Sequence, residues 1–312
     1  MQIVLPGALP DAREARELIP YLLKAAPTLV HWLENSSATQ TLAEGSETGC
    51  TPYEQWLLHA HGYTPDPGQK LVAGLGPLWA GNDNPPDQAL WLAELVHLAP
   101  SRDGAALLPA VGLGITTEQS VALFESARVL FEPTEFTLQP LDTERWRVTL
   151  PEGFAPDYGS PTLVSLTSVN EWWPQDRLTR PWRRLVNELQ MLWFDHPVNQ
   201  ARYQQGLAPV NSLWLFGGGR GEQFKGPQAN SETQIHSELL GFSIVQDWGG
   251  WIAALTELEA RVFRSWPQRE PPRLVLLGRN KIVETRPNRW LRWVPGMPGR
   301  RDSWRKWWSP QN

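Results

Sequence analysis

Residues 185–219 read LVNELQMLWFDHPVNQARYQQGLAPVNSLWLFGGG and contain the two patterns that decide the fold class. The first part has leucines at the spacing that places apolar side chains on one face of a helix, at Leu185, Leu189 and Leu192. The second part, residues 210–216, is a largely apolar run of strand length that enters three glycines. Such a run is typical of a strand buried in a parallel sheet, so the stretch predicts an α/β fold.

Upstream of this stretch, the pattern predicts two hairpins around a helix. The predicted elements are strands at 92–98 and 105–111, a helix from Thr117, strands at 136–139 and 145–150, and a helix at 182–194. A segment rich in Pro, Gly, Asn and Asp precedes them near residue 86. We therefore predict an inserted α+β domain of ββαββα order at residues 86–196.

The two chain ends, residues 1–85 and 197–312, then form one outer α/β domain. Its predicted elements are a strand at 2–5, a helix at 11–35 that Pro20 and Pro27 interrupt, strands at 210–216, 240–245 and 273–277, a helix at 248–263 and a hairpin at 281–294. No repeat of solenoid length is visible in the sequence.

Composition excludes several classes of protein. Hydrophobic residues make up 41% and charged residues 20% of the 312, as in a globular chain rather than a disordered one. Cys50 is the only cysteine, which excludes an intramolecular disulfide or a cysteine zinc cluster and favours a reducing compartment. No apolar run reaches the length of a membrane span, and the N-terminus lacks a signal-peptide pattern. We expect a soluble, cytoplasmic protein with no membrane span.

The C-terminal segment is basic although the whole chain carries a net charge of −5. Residues 279–312 contain nine basic and two acidic residues, interleaved with tryptophans. Trp304, Trp307 and Trp308 have the spacing of a buried stripe on a short helix, so we expect the tail to dock on the acidic body. An anionic partner and an oligomer contact are the alternatives.

One polar cluster is the candidate ligand-binding site. It consists of His196, Asn199, Arg202, Asn211, Gly217, Gly218, Gly219 and Arg220. The triglycine would let a ligand approach backbone amides, or it would form a tight structural turn. It matches neither the phosphate-loop nor the dinucleotide-binding pattern. Because prolines and glycines interrupt regular structure here, we expect the asparagines and Arg202 to bond mainly to main-chain groups of the loop.

The same string, with WLAELVHLAPSRD at 91–103, resembles the bacterial RpfE-type regulatory proteins over nearly the whole chain. Its core is also similar to a short segment of the archaeal-type cofactor-independent phosphoglycerate mutases of the alkaline phosphatase superfamily, with HPVN at 196–199, Arg202, Gly206, Pro209, Asn211, Trp214, Gly217 and Gly219. The resemblance implies an alkaline-phosphatase-like domain that carries an inserted domain, in agreement with the split outer domain above.

The catalytic groups that this resemblance implies are not at the corresponding positions. Such mutases use an Asp-Gly after the first strand, a serine nucleophile and Asp and His ligands for two metals. Here Pro6-Gly7 follows the first predicted strand, and the basic sequence 278–281, Gly-Arg-Asn-Lys, follows strand 273–277. The sequence therefore predicts no metal site and no cofactor.

These observations favour a non-catalytic regulatory or ligand-binding protein of the RpfE type, a pseudoenzyme whose partner is a small phosphorylated ligand or a protein. One alternative is a metal-independent enzyme for a phosphorylated metabolite, in which Arg202 and Arg220 hold the phosphate and His196 acts as an acid. The other, which the sequence favours least, is nucleic-acid binding through the basic C-terminus.

Overall fold

A computed structural model describes residues 1–81, 85–102, 104–226, 232–266, 271–287 and 303–309. The chain divides into two units, which we call the terminal unit (Met1–Glu44 with Ala229–Asn312) and the inner unit (Gly45–Gln228). The described part of each unit contains one five-stranded sheet and several helices. The predicted α/β class is confirmed. Among the described residues, no helix has both the length and the apolar character needed to cross a bilayer.

The described strands, in chain order, are β1 (Gln2–Leu9), β2 (Ser36–Leu42), β3 (Ala89–Ser101), β4 (Gly104–Leu108), β5 (Thr137–Pro140), β6 (Arg145–Thr149), β7 (Ser212–Arg220), β8 (Thr233–Ile235), β9 (Arg273–Gly278) and β10 (Lys281–Pro287). The described helices are α1 (Ala12–Ala25), α2 (Pro27–Glu34), α3 (Gly45–Thr48), α4 (Pro52–Ala60), α5 (Leu75–Ala80), α6 (Thr117–Phe131), α7 (Pro161–Leu166), α8 (Val169–Trp172), α9 (Arg180–Phe194), α10 (Pro197–Gln204), α11 (Leu240–Ile244), α12 (Trp248–Leu258) and α13 (Arg305–Trp308). Short 3-10 turns and a π-helical turn at Glu259–Phe263 complete them.

The sheet of the terminal unit has the order β2-β10-β9-β1-β8. β1 is parallel to β8 and β9, with Val4 opposite Ile235 and Val275, whereas β10 is antiparallel to β9 and β2. Ile3 and Leu5 are fully buried. The apolar run of β1 therefore sits between two parallel neighbours, as a buried parallel strand does.

The helical segments of the terminal unit differ in part from the sequence predictions. The helix predicted at 11–35, with interruptions at Pro20 and Pro27, is two helices. Pro27 starts α2 at its first position, whereas Pro20 lies inside α1 and does not end it. The strand predicted at 240–245 is wrong, since these residues form α11. A short apolar run has no periodicity that separates a strand from a turn of helix. Of the hairpin predicted at 281–294, the first part forms the strand β10, which pairs with β9 and β2, and residues 288–294 lie outside the described part. The hairpin itself stays a prediction.

The sheet of the inner unit has the order β4-β3-β6-β5, and β7 pairs with β3. All of these pairs are antiparallel. The prediction that residues 210–216 form a parallel strand is therefore wrong in its direction. Both α5 and α9 pack against β7, which explains why its sequence is apolar throughout. Its Trp214 is fully buried.

The inner unit contains β3, β4, α6, β5, β6 and α9 in the predicted ββαββα order. Its bounds, 45 and 228, are wider than the predicted insertion at 86–196. The difference arises because β7 joins the inner sheet and α5 packs against β7. The domain assignment with boundaries at 86 and 196 stays a prediction.

The described part of the C-terminal tail docks on its own unit. Trp304 and Trp308 are 1% and 2% exposed, and they join the core of the terminal unit. Trp308 Nε1 donates a hydrogen bond to the Ala8 carbonyl (3.2 Å), and Lys281 Nζ donates to the Trp307 carbonyl (3.1 Å). The predicted docking is confirmed for residues 303–309. The rest of the basic segment, residues 288–302, lies outside the described residues.

We expect Trp308→Ala to lower the free energy of unfolding by about 3–5 kcal/mol, because it removes a buried indole and leaves a cavity. Urea denaturation followed by circular dichroism measures the change. Tyr21→Ala is the control, since Tyr21 lies in the same unit and is 55% exposed. An equal urea midpoint for Trp308→Ala and the wild type would contradict the docked tail.

Candidate ligand-binding site

The triglycine lies inside β7 and forms a β-bulge. Gly219 is opposite Leu90 and Gly217 is opposite Trp91, so Gly218 is an extra residue with no partner across the pair. Gly217 and Gly218 have φ angles of 102° and 99°, which side chains rarely allow. The three glycines are therefore part of a strand and are neither a tight turn nor a loop beyond the strand.

The glycines also allow close backbone packing. A β-carbon on Gly217 would lie 2.7 Å from the Leu90 carbonyl oxygen, and one on Gly219 would lie 2.7 Å from the Ala73 carbonyl oxygen. A β-carbon on Gly218 would overlap the indole of Trp91. Residues with side chains would push β7 away from these neighbours.

A network of amide side chains ties the bulge to the loop before α5. Gln69 Nε2 donates to the carbonyl of Gly218 (3.1 Å), and Gln69 Oε1 accepts from Gln223 Nε2 (2.8 Å) and Tyr63 Oη (3.1 Å). Gln223 Oε1 in turn accepts from the backbone N–H of Arg220 (2.8 Å). The network fixes Gln69, and with it the adjacent Lys70, beside the bulge.

A cavity of about 370 Å³ opens beside this bulge. The lining residues that bear on its chemistry are Gln69, Lys70, Trp91, Asp157, Tyr158, Gly217 and Gly218. Pro67 and Pro156 add apolar surface. The cavity therefore joins a backbone bulge, an aromatic wall and one ammonium group. We call it the Lys70 cavity.

The loop that carries Asp157 and Tyr158 is held at its C-terminal end. The backbone N–H of Ser160 donates to the Gly49 carbonyl (2.8 Å), and its hydroxyl donates to the buried Glu54 carboxylate (2.6 Å). Trp214 Nε1 donates to the Gly159 carbonyl (2.9 Å). Burial raises the pKa of Glu54, although its hydrogen bonds with Ser160 and Thr51 oppose this effect.

Lys70 carries the positive charge of the cavity. Its Nζ lies 2.9 Å from Asp157 Oδ2 and 4.9 Å from the ring centroid of Trp172. The side chains of Lys70 and Asp157 are 30% and 60% exposed. The ammonium is thus positioned by an aromatic face and by a carboxylate that is mostly in solvent.

Tyr158 contributes a hydroxyl that has no hydrogen-bond partner among the described residues. The residue is 2% exposed. Burial raises the pKa of Tyr158; nearby Arg183 opposes the rise and Asp176 adds to it. The hydroxyl therefore stays protonated at neutral pH and remains a hydrogen-bond donor.

His196 and Asn199 organise the chain between α9 and β7. His196 caps the start of α10, where its Nδ1 accepts from the Val198 N–H (3.2 Å), and burial lowers its pKa. Asn199 Nδ2 donates to the carbonyls of Trp193 and Val210, and Asn199 Oδ1 accepts from the Val210 N–H, all at 2.8 Å. Asn199 is 4% exposed.

Arg202 is 1% exposed, and its guanidinium donates to three oxygens. These are the carbonyls of Ala208 (2.8 Å) and Leu113 (2.6 Å) and the side-chain oxygen of Gln119 (2.7 Å). Burial lowers the pKa of Arg202. Its hydrogen bonds therefore join the loop before β7 to the start of α6.

Asn211 and Arg220 are also bonded within the inner unit. Asn211 Oδ1 accepts from the Leu98 N–H (2.7 Å), and its Nδ2 donates to the Leu98 carbonyl (2.8 Å). Arg220 pairs with Asp66 (3.0 Å) and Glu222 (2.8 Å). The predicted main-chain hydrogen bonds of Asn199, Arg202 and Asn211 are confirmed.

The structure does not bring the eight predicted residues together around one cavity. Gly217 and Gly218 line the Lys70 cavity, whereas Asn199 and Asn211 line a different groove of about 670 Å³. Sequence reasoning missed Lys70, Trp91 and Tyr158, which come from three distant segments. The Pro- and Gly-containing loops at 64–68 and 155–159 were the available signal, but nothing in the sequence pairs one loop with the other.

In the terminal unit, a buried indole bonds to the backbone of β1 at Pro6-Gly7, the position where the resemblance implies a metal ligand. Trp251 Nε1 donates to the Gly7 carbonyl (2.9 Å), and Trp251 is 1% exposed. A β-carbon on Gly7 would lie 2.8 Å from the Leu239 carbonyl oxygen. Beyond β9, Arg279 pairs with Asp11 (3.2 Å). Within the described ranges, no group of three His, Cys, Asp or Glu side chains could hold a metal ion.

Comparisons with known proteins give only a distant resemblance. No protein-family model matches the chain, and no curated protein matches it significantly. The protein PH0037 of Pyrococcus horikoshii aligns over 91% of this chain and 86% of its own, with a TM-score of 0.42 and 13% identity. The cofactor-independent phosphoglycerate mutase of Thermoplasma acidophilum aligns over 92% of this chain and 90% of its own, with a TM-score of 0.33 and 12% identity.

We expect Asn211→Ala to lower the free energy of unfolding by about 1–3 kcal/mol, because it removes both hydrogen bonds to the Leu98 backbone. The urea midpoint of the purified variant measures this loss. Gln200→Ala is the matched control, since it removes an exposed amide on α10. If both variants keep the wild-type midpoint, Asn211 does not organise the loop.

Proposed function

We propose that this chain is a non-catalytic regulatory protein of the RpfE type that its sequence resembles, and that it binds a small phosphorylated ligand in the Lys70 cavity. The observation that carries the proposal is the Lys70 ammonium beside a cavity lined by the backbone of Gly217 and Gly218. Of the cluster predicted from the sequence, Gly217 and Gly218 line this cavity, and Asn199, Arg202 and Asn211 organise the neighbouring chain.

The charge at Lys70 supports an anionic ligand. Asp157 is 60% exposed, and exposed ion pairs contribute only about 0–1 kcal/mol. A phosphate group that displaces Asp157 therefore gains a charge-assisted hydrogen bond at little expense to the folded state.

The shape of the cavity supports a small ligand with a flat or apolar body. Its volume of about 370 Å³ is at the lower end of small-molecule sites. The half-buried indole of Trp91 lines it and lies against Gly218. A ring or short carbon chain can pack against this indole while the phosphate reaches Lys70.

The terminal unit supports a non-catalytic role. A two-metal phosphoryl-transfer site needs carboxylate and imidazole ligands around an open position. At the end of β1, the Gly7 and Ala8 carbonyls accept hydrogen bonds from the buried indoles of Trp251 and Trp308. Arg279 occupies the turn after β9 and is paired with Asp11.

The two alternative functions have less support from the geometry. A metal-independent enzyme would need His196, Arg202 and Arg220 for substrate, but each is engaged by the backbone or by carboxylates of the inner unit. Nucleic-acid binding through the tail would use exposed indoles, and in its described residues, 303–309, Trp304 and Trp308 are buried.

The test is calorimetric titration of the protein with 3-phosphoglycerate, glucose 6-phosphate and AMP. We expect at least one of them to bind and Lys70→Gln to weaken that binding about tenfold or more, because one charge-assisted hydrogen bond contributes about 1.5–3 kcal/mol. Lys24→Gln is the control, since Lys24 lies exposed at the end of α1.

Equal affinity in Lys70→Gln and the wild type, or no binding of any of the three esters, contradicts the ligand site. A parallel assay measures turnover of 3-phosphoglycerate with Mn²⁺ and Mg²⁺ supplied. We expect no turnover above that of a boiled sample. Sustained turnover would contradict the non-catalytic role. The ligand site would still stand or fall on the calorimetric result.

A further inference from the structure

The inner unit has a second, larger groove that shares no lining residue with the Lys70 cavity. It has a volume of about 900 Å³ and is lined by the start of α9 and by the loops that follow α6 and β6. Its apolar lining includes Phe136 and Phe154, whose rings meet edge to face at 5.2 Å. We call it the α9 groove.

Two arginines give one wall of the α9 groove an unbalanced positive charge. Arg177 and Arg180 line the groove and are exposed. Neither guanidinium has an ion-pair or hydrogen-bond partner among the described residues, whereas Arg184, on the same wall, is paired with Glu188 at 2.7 Å. Two guanidiniums are therefore free to bind an anion.

An exposed apolar side chain lies between these two arginines. Leu178 lines the groove and is 52% exposed, although leucine is usually buried. The buried Leu185 and Phe136 add to the apolar lining of the same groove. A ligand that carries both an anionic group and an apolar body would cover the leucines while its charge reaches the arginines.

Two carboxylates on the other wall limit the charge of such a ligand. Glu135 and Glu152 line the groove from the loops after α6 and β6, and both are exposed. They would repel a second anionic group. This arrangement disfavours polyanions such as nucleic acid and favours a ligand with a single negative head.

We propose that the α9 groove binds an amphiphilic monoanion, with a single carboxylate, sulfonate or phosphate head at Arg177 and Arg180 and an apolar body against Leu178, Phe136 and Phe154. The planar guanidinium presents paired donors that match the oxygens of such a head. This site is separate from the Lys70 cavity, so either one can fail without affecting the other.

The probe for the test is 8-anilinonaphthalene-1-sulfonate, an apolar body with one sulfonate. N-phenyl-1-naphthylamine has the same apolar body without the charge. Fluorescence titration gives the Kd of each. We expect the double variant Arg177→Gln/Arg180→Gln to weaken binding of the sulfonate about tenfold or more and to change binding of the neutral probe by less than about twofold.

Matched variants separate the groove from general surface charge. Arg13→Gln/Arg128→Gln removes the same charge from other helices and should leave both probes within about twofold of the wild type. Glu135→Gln/Glu152→Gln should tighten binding of the sulfonate, because it removes repulsion from the opposite wall.

Apolar contact is tested on the same groove. Leu178→Asn should weaken both probes, and Val129→Asn, which changes a 63% exposed residue on α6, should weaken neither. Three results would overturn the proposal: no binding of the sulfonate by the wild type, an unchanged Kd in Arg177→Gln/Arg180→Gln, or an equal loss in Arg13→Gln/Arg128→Gln. A circular dichroism spectrum and a urea midpoint equal to those of the wild type establish that each variant is folded.

Discussion

The close packing of backbone on backbone around the Leu90 carbonyl shapes the inner unit. A β-carbon on Gly76 would overlap this oxygen, and one on Gly217 would lie 2.7 Å from it. α5 therefore lies directly against β3 and β7, with no side chain between them at this point. Glycine is required at both positions because every other residue would separate the helix from the sheet.

The candidate ligand site follows from this packing. Since β7 bulges at Gly218, the Gly218 carbonyl points out of the regular pairing and accepts a hydrogen bond from Gln69. Gln69 holds its neighbour Lys70 next to the cavity, and Trp91, on the paired strand, covers the bulge. A feature of backbone geometry thus places an ammonium group and an indole in the lining of one small cavity.

Sequence patterns predicted local structure well and tertiary arrangement less well. The ββαββα order and the docked Trp304 and Trp308 follow from periodicities that reflect burial directly. The sequence could not predict the direction of β7 relative to β3, because burial on both faces produces the same apolar run in parallel and antiparallel strands. Asn211 could be predicted as an organiser from its loop context. Lys70 could not, because its cavity is assembled from segments that only the folded chain brings together.

The most direct test of the claim that backbone packing around the Leu90 carbonyl shapes the inner unit compares Gly217→Ala with Gly206→Ala. Both glycines have positive φ angles, 102° and 71°, but a β-carbon at Gly206 meets nothing within 4 Å, whereas one at Gly217 lies 2.7 Å from the Leu90 carbonyl oxygen. Urea denaturation should show a loss in the free energy of unfolding of about 1–2 kcal/mol for Gly206→Ala, from backbone strain alone, and a clearly larger loss for Gly217→Ala. Equal losses in the two variants would contradict the account.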